Sequence, residues 1–78
     1  MSPDATTKVA KRSLVIAGHR TSISLEEAFW RALSGQASAR GRSIASLVAE
    51  IDAARAGANL SSAIRVYLLE QAQAARGQ

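Results

Sequence analysis

The sequence has no cysteine, one proline, one histidine, and one each of phenylalanine, tryptophan and tyrosine. Without cysteine, neither a disulfide nor a thiolate-held zinc can supply stability. The lone His19 has no carboxylates spaced to join it, so neither a metal site nor a cofactor is expected. Apolar stretches stop at four residues, as in LVIA at 14–17, far short of a bilayer span or a signal-peptide core. A cytoplasmic chain with no membrane role is expected. Signatures of catalysis are also missing. Glu26 and Glu27 are adjacent, so they do not face one another on a helix and are better explained as favourable charges at its positive end. No glycine-rich phosphate loop follows a strand, and Ser, His and Asp lack the context of a nucleophile. The chain reads as a binding protein and not an enzyme.

Of 78 residues, 37 are apolar, but 17 of these are alanines, which bury little area each. A single copy of one small domain would then have a thin core, barely offsetting the entropy lost on folding, and an obligate oligomer is the physical expectation. The net charge is +4. Lys8, Lys11, Arg12 and Arg20 fall in the first twenty positions against only Asp4, which favours an anionic partner at that end. The plainer reading of the same charges is a solvated surface.

Residues 1–11, MSPDATTKVAK, are polar and lack periodicity, so they read as a flexible basic arm before a domain over 12–75. A strand is expected over about 13–25, with a bulge or bend at Gly18; whether LVIA extends it is open. Ser24 and Glu27 fit a capping box, and Leu25, Ala28, Phe29, Ala32 and Leu33 recur at helical spacing, predicting a helix over 26–39 that stops at Arg40-Gly41. Phe29 should face the core, while Trp30, about 100° further round, either seals its edge or belongs to a protein-binding surface. Ser43 can cap a second helix with the stripe Ile44, Leu47, Val48 and Ile51, broken at Gly57. A last helix over 59–75 carries Leu60, Ala63, Ile64, Tyr67, Leu68 and Gln71 on one side, the Tyr67 hydroxyl being expected in water. Val66 and Leu69 lie off that stripe, as in a helix that touches two neighbours or a partner.

Between arm and helix, RTSISL alternates. In an extended chain Thr21, Ile23 and Leu25 point to one face and Arg20, Ser22 and Ser24 to the other. Such a strand needs a hydrogen-bonding neighbour. With no second alternating segment of equal quality, the same strand of a second copy is the expected partner. The predicted dimer core is Ile23, Leu25, Phe29, Leu33, Leu47, Val48 and Ile51. A two-stranded antiparallel ribbon fits the DNA major groove, where arginine and serine can address base edges.

The order of RTSISLE, EAFWRAL and SIASLVAEI resembles the ribbon-helix-helix superfamily of dimeric DNA-binding proteins. KRSLVIAGHRTSISLEEAFWRAL with the later NLSSAIRVYLLE is similar to short bacterial ribbon-helix-helix domain proteins regarded as transcriptional regulators. The resemblance implies a mainly α fold with one β-strand, two helices and an added C-terminal helix, forming an intertwined homodimer around a two-stranded ribbon. It places base reading on Arg20, Ser22 and Ser24, and phosphate binding at the second-helix N-terminus, on Arg42, Ser43 and Ile44. Free amides at a helix N-terminus support the latter independently. Lys8, Lys11 and Arg12 would follow phosphates. Double-stranded DNA is the expected partner, and a repressor that occludes its operator the expected role. The alternative is an antitoxin or adaptor whose helix 59–75 docks a protein. SLVIAGH and NLSSAIRVYLLEQ stand outside the superfamily's minimal core. The added helix would cover the dimer, join dimers on adjacent half-sites or bind that protein. A serine that caps a helix is also less free to read a base, which bears on Ser24.

Overall fold

A computed structural model describes residues 4–76. The order is α1 (Asp4–Thr7), β1 (Val9–Ile16), β2 (His19–Glu26), α2 (Glu27–Ala39), α3 (Ile44–Ala54) and α4 (Leu60–Arg76). The expectation of one strand per chain is corrected: β1 and β2 form an antiparallel hairpin, in register from Val9 opposite Glu26 to Ile16 opposite His19. The turn explains it. Ala17 and Gly18 both have positive φ, 52° and 84°, the geometry of a two-residue hairpin loop whose twist matches the flanking strands. The bulge or bend expected at Gly18 within one strand is instead a full hairpin turn, hidden in the sequence because Ala-Gly lacks the usual Asn or Asp before glycine. Val9–Lys11, assigned in the sequence to the arm, lie in β1, and Asp4–Thr7 form a helical turn; residues 1–3 of that arm lie outside the described residues.

An L-residue such as Ala17 pays about 1 kcal/mol to sit in the left-handed region, and asparagine pays less. Ala17→Asn is therefore expected to raise stability by roughly 0.5–1 kcal/mol and Gly18→Ala to lower it by about 1–2 kcal/mol. Space plays no part, since a Cβ at Gly18 would meet nothing within 4 Å. Urea midpoints shifting the other way would rule out this account of the turn.

The capping box does not form. Glu26 is the N-cap of α2 and its side chain makes no cap hydrogen bond, and the Glu27 amide, which Ser24 was expected to cap, donates instead to the Lys8 carbonyl at 2.8 Å. Ser24 stays in the strand opposite Lys11. Ser43 caps α3 as expected, its hydroxyl accepting from the Ser46 amide at 3.0 Å. Asn59 does the same for α4, accepting from the Ser62 amide at 3.1 Å.

Among the described residues, eleven buried side chains make the core: Ile16, Ile23 and Leu25 from the hairpin, Trp30, Leu33 and Ala37 from α2, Leu47, Val48 and Ile51 from α3, and Ile64 and Leu68 from α4. Six of the seven residues expected in a dimer core are thus buried within one chain. The seventh, Phe29, is only half-buried, and Trp30 takes the deep position, with its indole N–H donating to the Ala10 carbonyl at 2.9 Å. The Tyr67 hydroxyl, expected in water, is buried without a hydrogen-bond partner among the described residues. An unpaired strand and a thin core were the two physical reasons for requiring a second copy. The hairpin gives β2 a partner within the chain, and α4, packed on α3, α2 and β2, adds Ile64 and Leu68 to the core.

Candidate nucleic-acid interface

Strand pleating sorts the hairpin into two rows. Ala10, Leu14, Ile16, Thr21, Ile23 and Leu25 turn toward the helices and are buried or half-buried. The other row is solvent-facing: Val9, Lys11, Ser13 and Val15 from β1, and Arg20, Ser22 and Ser24 from β2, are all exposed. Lys11 stands opposite Ser24, Ser13 opposite Ser22 and Val15 opposite Arg20. The Ser13 and Ser22 hydroxyl oxygens are 3.5 Å apart. Arg20, Ser22 and Ser24 therefore share one open face, and Ser13 and Val15, which sequence reasoning missed, share it with them. The Ala17-Gly18 turn was the signal available, because counting outward from it pairs every one of these residues.

The helical body neutralises most of its own charge. Arg40 and Arg42 reach Glu50, Arg55 reaches Asp52 at 2.6 Å, and Arg65 reaches Glu26 at 3.1 Å. Two expected phosphate ligands are occupied in this way. Arg12 sits in the inward row opposite Ile23, with its guanidinium 4.9 Å from the centre of the Trp30 ring and 2.8 Å from the Glu27 carboxylate. Arg42 folds back along α3, donating to the Ser46 carbonyl at 3.0 Å and to Glu50. With Ser43 already used as a cap and Ile44 half-buried, the start of α3 turns much of its hydrogen-bonding capacity on itself. Lys8, Lys11, Arg20, Arg31 and Arg76 form no ion pair among the described residues. Lys11 and Arg20 lie on the open hairpin face and Lys8 immediately precedes β1. Of the cations without an ion pair, Lys8, Lys11 and Arg20 are thus gathered at the ribbon, while Arg31 and Arg76 lie on α2 and α4.

The ion pairs leave a titration signature. The Glu26 carboxyl is held below the ordinary value of 4.5 by its own backbone amide and by Arg65, and the Glu50 carboxyl by hydrogen bonding and charge from Arg42. A carboxylate whose folded pKa is depressed stabilises the fold fully above its unfolded value and loses that contribution as pH falls through the folded value. Urea midpoints are expected to fall as pH drops below about 4.5, and to fall less in a Glu26→Gln, Glu50→Gln double variant. An equal acid loss in both proteins would refute the assignment.

Between them, α3 and α4 leave a cleft of about 360 Å³ lined by Ile51, Ala54, Ala58, Ala63, Val66 and Tyr67, with Glu50, Arg55 and Glu70 also on its walls. Val66 on its wall and Leu69 further along α4 are 53% and 57% exposed. Among the described residues, no three His, Cys, Asp or Glu side chains come together as metal ligands, and no helix is long and apolar enough to cross a membrane.

A profile of the ribbon-helix-helix domain matches residues 9–72. The chain belongs to the ribbon-helix-helix domain family. That family is one of DNA-binding regulators. The match begins at the first residue of β1 and runs through most of α4. SLVIAGH and NLSSAIRVYLLEQ, which looked like additions to a minimal core, are thus parts of this ribbon-helix-helix domain. Among solved structures, an uncharacterized protein from Bordetella pertussis Tohama I is similar at 29% identity and a TM-score of 0.79. The likeness covers 97% of this chain and 66% of that one, so the chain spans just under two thirds of its relative's length. No curated protein matches the chain.

Proposed function

We propose that this ribbon-helix-helix protein is a sequence-specific transcriptional regulator, a repressor that occludes its operator in the bacterial cytoplasm by laying the hairpin in the major groove. The observation that carries the proposal is the exposed row Arg20, Ser22 and Ser24, whose arginine forms no ion pair among the described residues while most of the helical arginines are neutralised. In that groove arginine can hold guanine through two hydrogen bonds, and serine can donate or accept at several base edges. Lys8 and Lys11 add phosphate attraction that salt screens. Arg42, Ser43 and Ile44 at the start of α3 meet a phosphate once Arg42 exchanges Glu50 for it; Arg12 joins only by leaving Glu27.

Two copies acting together remain part of the proposal, since the family binds DNA as dimers. The hairpin pairs β1 with β2 inside one chain and leaves the outer edge of each strand open, where the strand of a second copy can join it. Val66, Leu69 and the α3–α4 cleft offer a further apolar surface for a partner. The same exposed side chains favour the second reading, an antitoxin or adaptor in which α4 holds a different protein.

Titrating the protein into labelled duplexes taken from upstream of its gene, with random DNA as competitor, tests the proposal. Binding that survives competitor and weakens steeply with salt is expected. Sedimentation of the complex counts the copies. Absence of any duplex that outlasts the competitor would reject DNA reading and leave the α4 alternative.

A further inference from the structure

The hydrogen bond from the Glu27 amide to the Lys8 carbonyl extends the hairpin ladder one pair beyond Val9 and Glu26. Pairs in an antiparallel ladder alternate between exchanging hydrogen bonds and not exchanging them. Counting from Lys8, the pairs bonded across the hairpin are the inward ones, Ala10 with Leu25, Arg12 with Ile23 and Leu14 with Thr21. The backbone N–H and C=O groups of Lys11, Ser13 and Val15 therefore point to the outer edge of β1, and those of Arg20, Ser22 and Ser24 to the outer edge of β2.

The two edges differ in chemistry. Lys11 and Arg12 stand together on β1 with Lys8 just before it, and lysine on an edge discourages the addition of a further strand. On β2 the cation is Arg20 alone. When β2 of a second copy joins antiparallel about a twofold axis at Ser22, Arg20 of each copy meets Ser24 of the other, and the two arginines stay about 14 Å apart, four residues along the strand. The sheet then runs β1, β2, β2, β1. Its central pair is the two-copy ribbon of the family, and β1 lies on either flank with its outer edge still open.

Dimensions decide where β1 meets DNA. Neighbouring strands are about 4.8 Å apart, so the two outer strands are about 14 Å apart, while the major groove is about 12 Å wide. The central pair enters the groove, and the flanks rest on its rims, where the phosphates stand. There β1 offers what a phosphate takes: the exposed Lys11 ammonium, which forms no ion pair among the described residues, the exposed Ser13 hydroxyl, and the outward amides of Lys11, Ser13 and Val15.

On the reading that paired β2 strands address the bases, we propose that β1 is a phosphate-binding edge, on which Lys11, Ser13 and the open amides of each copy hold the DNA backbone beside the ribbon. Base reading stays with Arg20, Ser22 and Ser24. β1 sets how firmly the sheet is seated.

Two measurements test this. The chain has no cysteine, so Ser22→Cys and Ser13→Cys each introduce a single thiol, at an exposed strand position. On the selected duplex, a bifunctional thiol reagent spanning less than about 10 Å should join two Ser22→Cys copies and leave Ser13→Cys copies, on strands about 14 Å apart, unjoined. Titrations across a salt series then compare wild type with Lys11→Ala on operator and random duplexes. The variant should weaken both by the same factor, lower the slope of log affinity against log salt by about two, one phosphate for each copy, and leave the bases selected from a random library unchanged. Lys11→Arg should restore the slope. The inference is overturned if Ser13→Cys copies join or Ser22→Cys copies do not, or if Lys11→Ala keeps the wild-type slope or alters the selected bases. A library from which the wild type enriches nothing overturns the reading of DNA itself, and the proposed function with it. Lys11, Ser13 and Ser22 are exposed, so their variants keep the fold, which a thermal melt verifies.

Discussion

Arg20→Ala is expected to lower affinity for the operator about tenfold to a hundredfold at fixed salt, while affinity for random DNA falls by a factor of a few. The estimate rests on one bidentate arginine–guanine contact, worth about 1–3 kcal/mol of discrimination. Two features of the structure place this residue above the other cations. Its side chain has no ion pair within the described residues, so no internal attraction has to be broken before it meets DNA, in contrast to Arg42 with Glu50 and Arg12 with Glu27. It also stands on paired backbone between His19 and Thr21, which fixes the direction of its Cβ. Arg20→Lys separates charge from geometry: the ammonium keeps attraction to phosphate but lacks the planar fork. Lysine should therefore preserve binding to random DNA and still lose the operator preference. Anisotropy titrations of the three proteins on operator and scrambled duplexes measure both quantities. If operator and scrambled affinities fall by the same factor in Arg20→Ala, the residue is a phosphate contact and the reader lies elsewhere.

Trp30→Ala is expected to have the largest effect on the fold, about 3–5 kcal/mol. That is a large part of the roughly 5–15 kcal/mol that holds a typical domain together. Trp30 is 2% exposed. Its indole N–H is the donor to the Ala10 carbonyl, and its ring is the surface on which Arg12 lies. Truncation would therefore empty a large volume, take away the hydrogen bond at Ala10 and expose Arg12's apolar stem, all at the junction between α2 and β1. Phe29→Ala, at a half-buried position with Arg65 over its ring, should cost clearly less. Urea unfolding followed by circular dichroism compares them, and a greater loss for Phe29→Ala would overturn the assignment of the core. Because Trp30 anchors the strand that carries Lys11, Ser13 and Val15, DNA binding should fall along with stability, whereas Arg20→Ala should leave stability nearly unchanged.

How much was legible in the sequence follows the range of the forces involved. The row Arg20, Ser22, Ser24 against Thr21, Ile23, Leu25 was plain from alternation, and the structure keeps the two rows on opposite faces. The second helix, with Ser43 as its cap and Leu47, Val48 and Ile51 inward, was equally plain. So was the inward stripe of α4, from Leu60 to Gln71. β1 was hidden because Lys11, Arg12 and Ser13 run three polar residues together and break the alternation that marks a strand. Arg12 is tolerated in the inward row only because the Trp30 ring and the Glu27 carboxylate, distant in sequence, receive its guanidinium. Phe29 and Trp30 are neighbours on one helix, and periodicity could not say which would go deeper, since that depends on where β1 lies.

What the sequence by itself determined, then, were the local elements and the faces they present, because a period of two or 3.6 and a capping serine act over a few residues. Tertiary structure alone decided the partner of β2, the loss of the Ser24 cap to the Lys8 carbonyl, and which arginines stay free. Each of these turns on a hydrogen bond or an ion pair between residues far apart in the chain, such as Glu27 with Lys8 or Arg65 with Glu26. Such pairings form only when folding brings the groups within about 3 Å, a distance no local pattern encodes.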